Sequence, residues 1–115
     1  MKYLCLVYQD ESAMQKMSKA EMDQMNLENW AFAEVFQDGG QLIVERGLQP
    51  THTAITVRVR NGKMLTSNGP SAETQEQLSG FYLIEASDLN DAIQVASKIP
   101  TARRGSIEIR PIRVG

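Results

Sequence analysis

Two periodicities take turns along the chain and divide it into elements. Lys2-Tyr3-Leu4-Cys5-Leu6-Val7-Tyr8 is rich in β-formers and stops at the polar run Gln9-Asp10-Glu11-Ser12, which predicts a strand followed by a loop. Met22, Met25, Phe32, Ala33 and Phe36 then recur near the 3.6-residue period of a helix, with Trp30 on its flank. Ser18 stands three residues before Glu21, the spacing of a capping box, and Gly39-Gly40 offers a left-handed stop at the far end. Leu42-Ile43-Val44 predicts a short strand ended by Gly47 and Pro50. From Thr53 to Arg60 the pattern has period two, with Ile55, Val57 and Val59 on one side and Thr56, Arg58 and Arg60 on the other. Asn61-Gly62 follows directly and suits a two-residue hairpin turn, so Lys63 to Thr66 is the return strand.

The second half repeats this alternation of elements. Ser67-Asn68-Gly69-Pro70-Ser71 is a turn cluster, and Ala72 to Leu78 is polar, with room for one helical turn. Gly80 to Ala86 reads as a strand. Asp88 caps a second helix with an apolar stripe of Leu89, Ala92, Ile93, Ala96 and Ile99, and Pro100 ends it. Ser106 to Ile112 closes the series as a strand in which Ile107 and Ile109 alternate with Glu108 and Arg110. Strand, helix, strand with an inserted hairpin, strand, helix, strand is the order of an α+β ferredoxin-like sandwich with an inserted β-hairpin. The expectation is a single domain over residues 1–115.

The strands around Leu6 and Leu83 are apolar on both faces, whereas two helices cover only one face of a sheet. Several Leu-sized side chains left in water would form the kind of patch that marks an interface. A homodimer packed sheet to sheet is therefore expected.

Composition narrows the function classes without choosing one. Twelve basic against fourteen acidic residues give a net charge of −2, too little positive charge for the electrostatic footprint of a nucleic-acid or anionic-membrane binder. No apolar run approaches membrane-spanning length, and the first ten residues lack the length and cleavage site of a signal peptide, so a cytoplasmic location is the default expectation. Cys5 is the sole cysteine and His52 the sole histidine, which leaves no internal disulfide and no His-rich metal cage. Without a Walker loop, dinucleotide fingerprint or zinc spacing, no cofactor is expected.

The stretch Gly69-Pro70, Ala72-Glu73-Thr74, Glu76-Gln77-Leu78, Gly80-Phe81-Tyr82-Leu83-Ile84-Glu85, together with KYLCLVY and GSIEIRPI, resembles the YCII-related family, in the branch named for an Asp-Gly-Pro-Phe (DGPF) motif. The resemblance implies a dimeric α+β barrel in which two ferredoxin-like sheets face each other. It also implies gene neighbourhoods shared with extracytoplasmic-function sigma factors, hence an accessory or regulatory partner as the alternative to a small-molecule site. Two departures from the family pattern bear on chemistry. Asn68 and Ser71 stand where the motif has Asp and Phe, and Asn29 stands near the place of a first-helix histidine suspected of pairing with an aspartate. An amide donates and accepts hydrogen bonds but does not act as a general base near neutral pH.

The candidate ligand site is accordingly the Asn68-Gly69-Pro70 turn with Glu73, His52, Arg58, Glu108 and Arg110. The turn is either a ligand cradle with free backbone N–H groups or a conformational stop. His52 carries the imidazole that titrates near neutrality, and the competing reading is a solvated loop residue. Arg58, Glu108 and Arg110 are expected on the sheet face away from the helices, as an arginine-rich cavity for a carboxylate or as an interfacial ion-pair set. Trp30 is expected against the inserted hairpin, and Cys5 in the core.

Overall fold

The computed structural model describes residues 1–114. The first strand, β1 (Lys2–Gln9), is central in a four-stranded antiparallel sheet whose other strands are β2 (Leu42–Gly47), β5 (Gln77–Glu85) and β6 (Ser106–Pro111), in the order β2-β5-β1-β6. Two long-range connections are helical: α2 (Lys19–Asp38) joins β1 to β2, and α3 (Leu89–Ser97) joins β5 to β6. This mixed α+β arrangement is consistent with a ferredoxin-like fold. No helix among the described residues is long and apolar enough to cross a membrane.

Strand alternation sorts the sheet into two faces. Tyr3, Cys5 and Val7 of β1 and Tyr82 and Ile84 of β5 are buried with Phe32 of α2 and Ala92, Val95, Ala96 and Ile99 of the α3 segment. Phe32 meets Phe36 at 4.6 Å and Tyr82 edge-on at 5.3 Å between ring centroids. Among the described residues no element forms a layer over the opposite face. Its rows follow from the registers: Val44, Leu83, Leu4 and Arg110 lie abreast, then Arg46, Phe81, Leu6 and Glu108. An irregularity at Ile43 moves the strand from Leu42 on the core face to Val44 on the open one.

The helix ends are fixed by local chemistry. Ser18 and Glu21 form the expected capping box, at 3.1 Å in both directions, and Gly40 takes the left-handed conformation after α2, with φ of 79°. A short helix, α1 (Glu11–Gln15), occupies the segment expected to be loop, because the Asp10 carboxylate accepts from the Ser12 and Ala13 N–H groups. The buried arc of α3 is Ala92, Val95 and Ala96, followed by Ile99. Ile93 lies about 100° round the helix from Ala92, so it is exposed, as is Leu89. Pro100 does more than stop α3: it opens a 3₁₀ turn over Pro100–Arg103, which Arg103 and Arg104 tie to α2 through the carboxylate of Glu28.

The hairpin, β3 (Ile55–Arg60) and β4 (Lys63–Asn68), forms as expected, with φ of 54° at Asn61 and 75° at Gly62. It starts two residues later than the alternation suggests, because Thr51–Thr53 make a 3₁₀ turn. It is a separate two-stranded sheet, so Arg58 is not on the open face of the main sheet. Trp30 does not pack against it either; its side chain is 67% exposed. Residues 72–76 contain no helical turn, and β5 begins at Gln77.

Candidate functional site

The turn after β4 is folded by its own backbone. Gly69, at φ of 97°, donates its N–H to the Ala54 carbonyl at 2.7 Å and accepts from Thr56 Oγ1 at 2.8 Å. Its N–H is thus committed to the base of the hairpin, and Asn68 pairs with Ile55 in the ladder. Beyond Pro70 the chain is held open as a wall. Arg58 Nη2 donates to the Ser71 carbonyl at 3.3 Å, Thr74 Oγ1 donates to the Glu76 carbonyl, and Gln77 Nε2 donates to the Thr74 carbonyl at 2.6 Å.

Glu11 builds the facing wall. Its carboxylate accepts from the Thr51 N–H at 3.0 and 3.3 Å and from Thr51 Oγ1 at 3.1 Å, while its own N–H donates to Gln77 Oε1 at 2.9 Å. One residue, through its carboxylate to Thr51 and its backbone N–H to Gln77, therefore joins α1, the Thr51 turn and the start of β5. Between the walls lies a cleft of about 370 Å³, lined by Tyr8, Thr51, Pro70, Ser71, Ala72, Glu73, Thr74, Gln77 and Leu78. Tyr8 and Leu78 are register partners that continue the open sheet face, so the cleft lies at the end of that face.

The hydrogen-bonding capacity of the cleft is partly consumed. The Thr51 hydroxyl hydrogen is held by Glu11, and both ends of the Gln77 amide are used. The Glu73 carboxylate and the Tyr8 hydroxyl carry no hydrogen bond within the described chain and face the cleft beside the apolar surfaces of Pro70, Ala72 and Leu78. No arginine lines the cleft, so its chemistry suits a neutral or cationic molecule better than a carboxylate.

Of the residues expected in the site, Pro70 and Glu73 line the cleft, and Arg58 props its wall through Ser71. Gly69 and Asn68 are not among the residues that line it, and His52 is exposed in the 3₁₀ turn next to Thr51. Glu108 and Arg110 point from β6 onto the open sheet face, where Arg110 Nε meets Glu108 Oε2 at 2.9 Å. Tyr8, Glu11, Thr51, Gln77 and Leu78 line or hold the cleft and are not among the site residues expected from the sequence. Tyr8 reads there as one more apolar strand residue. For Glu11 a signal existed in Asp10, whose carboxylate caps a helix that then presents Glu11 to Thr51.

Residues 1–114 match the YCII-related domain. The chain belongs to the YCII-related family. A relative, an uncharacterized protein of Rhizobium meliloti (strain 1021), is 37% identical over 114 residues, covering 97% of this chain and 92% of the relative.

In this YCII-related protein, α2 directs Asn29 toward a second, smaller recess of about 140 Å³ on the helix side of the sheet, with Gln9, Ser79, Tyr82 and Thr101. Gln9 is buried and spends its Nε2 donor on Ser79 Oγ at 3.0 Å. Asn29 Oδ1 is buried without a hydrogen-bond partner. Burial, and secondarily the charge of Glu45, push the Tyr82 phenol up to about 12, so it keeps its proton and remains a donor near neutral pH. The recess offers hydrogen bonds but no imidazole.

Proposed function

We propose that this YCII-related protein, of the DGPF-motif branch, is a homodimer of facing sheets that binds a small organic molecule in the cleft beside the Asn68–Glu73 segment. The observation that carries the reading is the cleft itself: a concavity of about 370 Å³ with one free carboxylate, one free phenol and an apolar floor, opening at the end of an uncovered apolar sheet face. Facing a second sheet against Leu4, Leu6, Phe81 and Leu83 removes that face from water, at about 25 cal/mol per Å² of apolar surface buried. It also roofs the cleft. The ion-paired Glu108 and Arg110 then lie at the rim and fix register.

The ligand class that fits is neutral or cationic and partly apolar, with a donor for Glu73 and an acceptor for the Tyr8 hydroxyl. A thermal-shift screen of small amines, phenols, lactones and carboxylates tests this. The expected result is stabilisation by an amine or phenol, lost in Glu73→Ala and Tyr8→Phe. Stabilisation only by carboxylates, or shifts that survive both substitutions, would overturn the cleft assignment. Sedimentation at high salt is expected to give a dimer for the wild type and a folded monomer for Leu83→Asp. A wild-type monomer at every concentration removes the facing-sheet arrangement.

A further inference from the structure

The outward pole of α2 and one face of the hairpin are complementary to each other, and neither is covered. At 100° per residue, Asp23, Leu27, Trp30, Glu34 and Asp38 fall within an arc of about 80° on α2. This arc is opposite the buried Met25 and Phe32. Leu27 and Trp30 are 63% and 67% exposed, an unusual place for the chain's only tryptophan. Glu34 and Asp38 have no cationic partner among the described residues, while Asp23 is met by Lys19 at 3.0 Å.

The hairpin supplies the reverse. The registers Arg58↔Leu65 and Arg60↔Lys63 place these four residues on one face, three cations around a leucine that is 51% exposed. None of the three forms an ion pair within the described chain, and residues 55–68 contain no acidic residue. The lengths also agree. Asp23 to Asp38 spans about 22 Å of helix, and a six-residue strand about 20 Å.

We propose that the basic face of the hairpin of one copy docks on the outward pole of α2 of a second copy. Leu65 meets Leu27 and Trp30, the guanidinium groups reach the indole and the carboxylates of Glu34 and Asp38, and the long side chains remain wet at the rim. A second copy is the occupant because the same chain carries both complementary halves. The contact uses none of the open sheet face and none of the residues that line the cleft, sharing with the cleft only Arg58, which holds the Ser71 carbonyl of its wall. It therefore joins facing-sheet dimers into a larger assembly, and its fate is separable from theirs.

The test is sedimentation velocity on the full chain over a wide concentration range at low and high salt. The expected wild-type behaviour is a species larger than a dimer that dissociates toward the dimer as salt rises. Arg60→Glu and Glu34→Arg, both at exposed positions, should each weaken that step by about tenfold or more, and the double variant should restore it. A mass that neither single reversal changes, or a double variant no better than the singles, overturns the proposal. Leu83→Asp separates the two contacts: it acts on the sheet-to-sheet dimer and leaves the charge-reversal pattern in place.

Discussion

The four-stranded sheet and the projecting hairpin are written in the same two-residue alternation, yet they hold entirely different positions in the molecule. Ile84, on β5, is 0% exposed beneath the helices; Val57, at an equivalent alternating position on β3, is 58% exposed. The difference lies in the connections rather than the strands. Helical crossovers bring α2 and α3 back over one face of the sheet, while the hairpin is joined by a two-residue turn that brings nothing with it. A two-stranded ribbon without a covering layer is marginal by itself in water. Alternation thus encodes that a strand has two faces, and the connectivity decides what covers each of them.

Truncating the covered face should give the largest effect. Ile84→Ala removes a fully buried side chain from contact with the core and is expected to destabilise by about 2–5 kcal/mol, read as a lower urea midpoint at unchanged slope. A loss below about 1 kcal/mol would mean that the helix layer does not close tightly over β5.

Next in size is the hairpin turn. Gly62 has φ of 75°, where a Cβ meets no neighbouring atom but the backbone conformation itself is strained for an L residue. Gly62→Ala should cost about 1–2 kcal/mol, confined to the hairpin. Amide exchange should accelerate in residues 55–68 and not in β1 or β5. Acceleration throughout would show that hairpin and sheet unfold as one unit.

Ser18→Ala should cost about 1 kcal/mol by removing one half of the capping box at the start of α2. The acid side of the stability profile checks the other half. The Ser18 N–H, and then its hydroxyl, hold the Glu21 carboxyl below its ordinary value of 4.5. A carboxyl lowered in the folded state contributes stability that is present above 4.5 and is lost as the pH falls through the lower folded value. Glu21→Gln should remove that part of the acid dependence.

Much of this architecture is legible in the sequence because it depends on neighbours. The capping box, the Asn61-Gly62 turn and the two-faced strands are all decided within a few residues. The cleft is different. Its walls are held by Glu11 reaching Thr51, forty residues away, and Gln77, sixty-six away, and such pairings leave no local periodicity. The turn around Gly69 is locally visible, but the use of its N–H to bind Ala54 is a tertiary fact, and it is Pro70 and Glu73 that face the cleft. Trp30 illustrates the same limit: its place on the helix wheel is readable, and the absence of the hairpin from that side is not.

The smallest effect should come from Val57→Ala. Val57 pairs with Thr66 on the hairpin face opposite the cationic one, and its side chain is already mostly in water. Losing two methyl groups there removes little buried area, so global stability should stay within about 0.5 kcal/mol of wild type, with any loss arising from the cross-strand contact and seen as faster exchange in the hairpin alone. The proposed contact with α2 uses Leu65, Arg58, Arg60 and Lys63, so Val57→Ala should also leave the sedimentation pattern unchanged where Arg60→Glu alters it. If Val57→Ala instead lowers the urea midpoint as much as Ile84→Ala does, the apolar side of the hairpin is packed in solution and the contrast between the two β-structures fails.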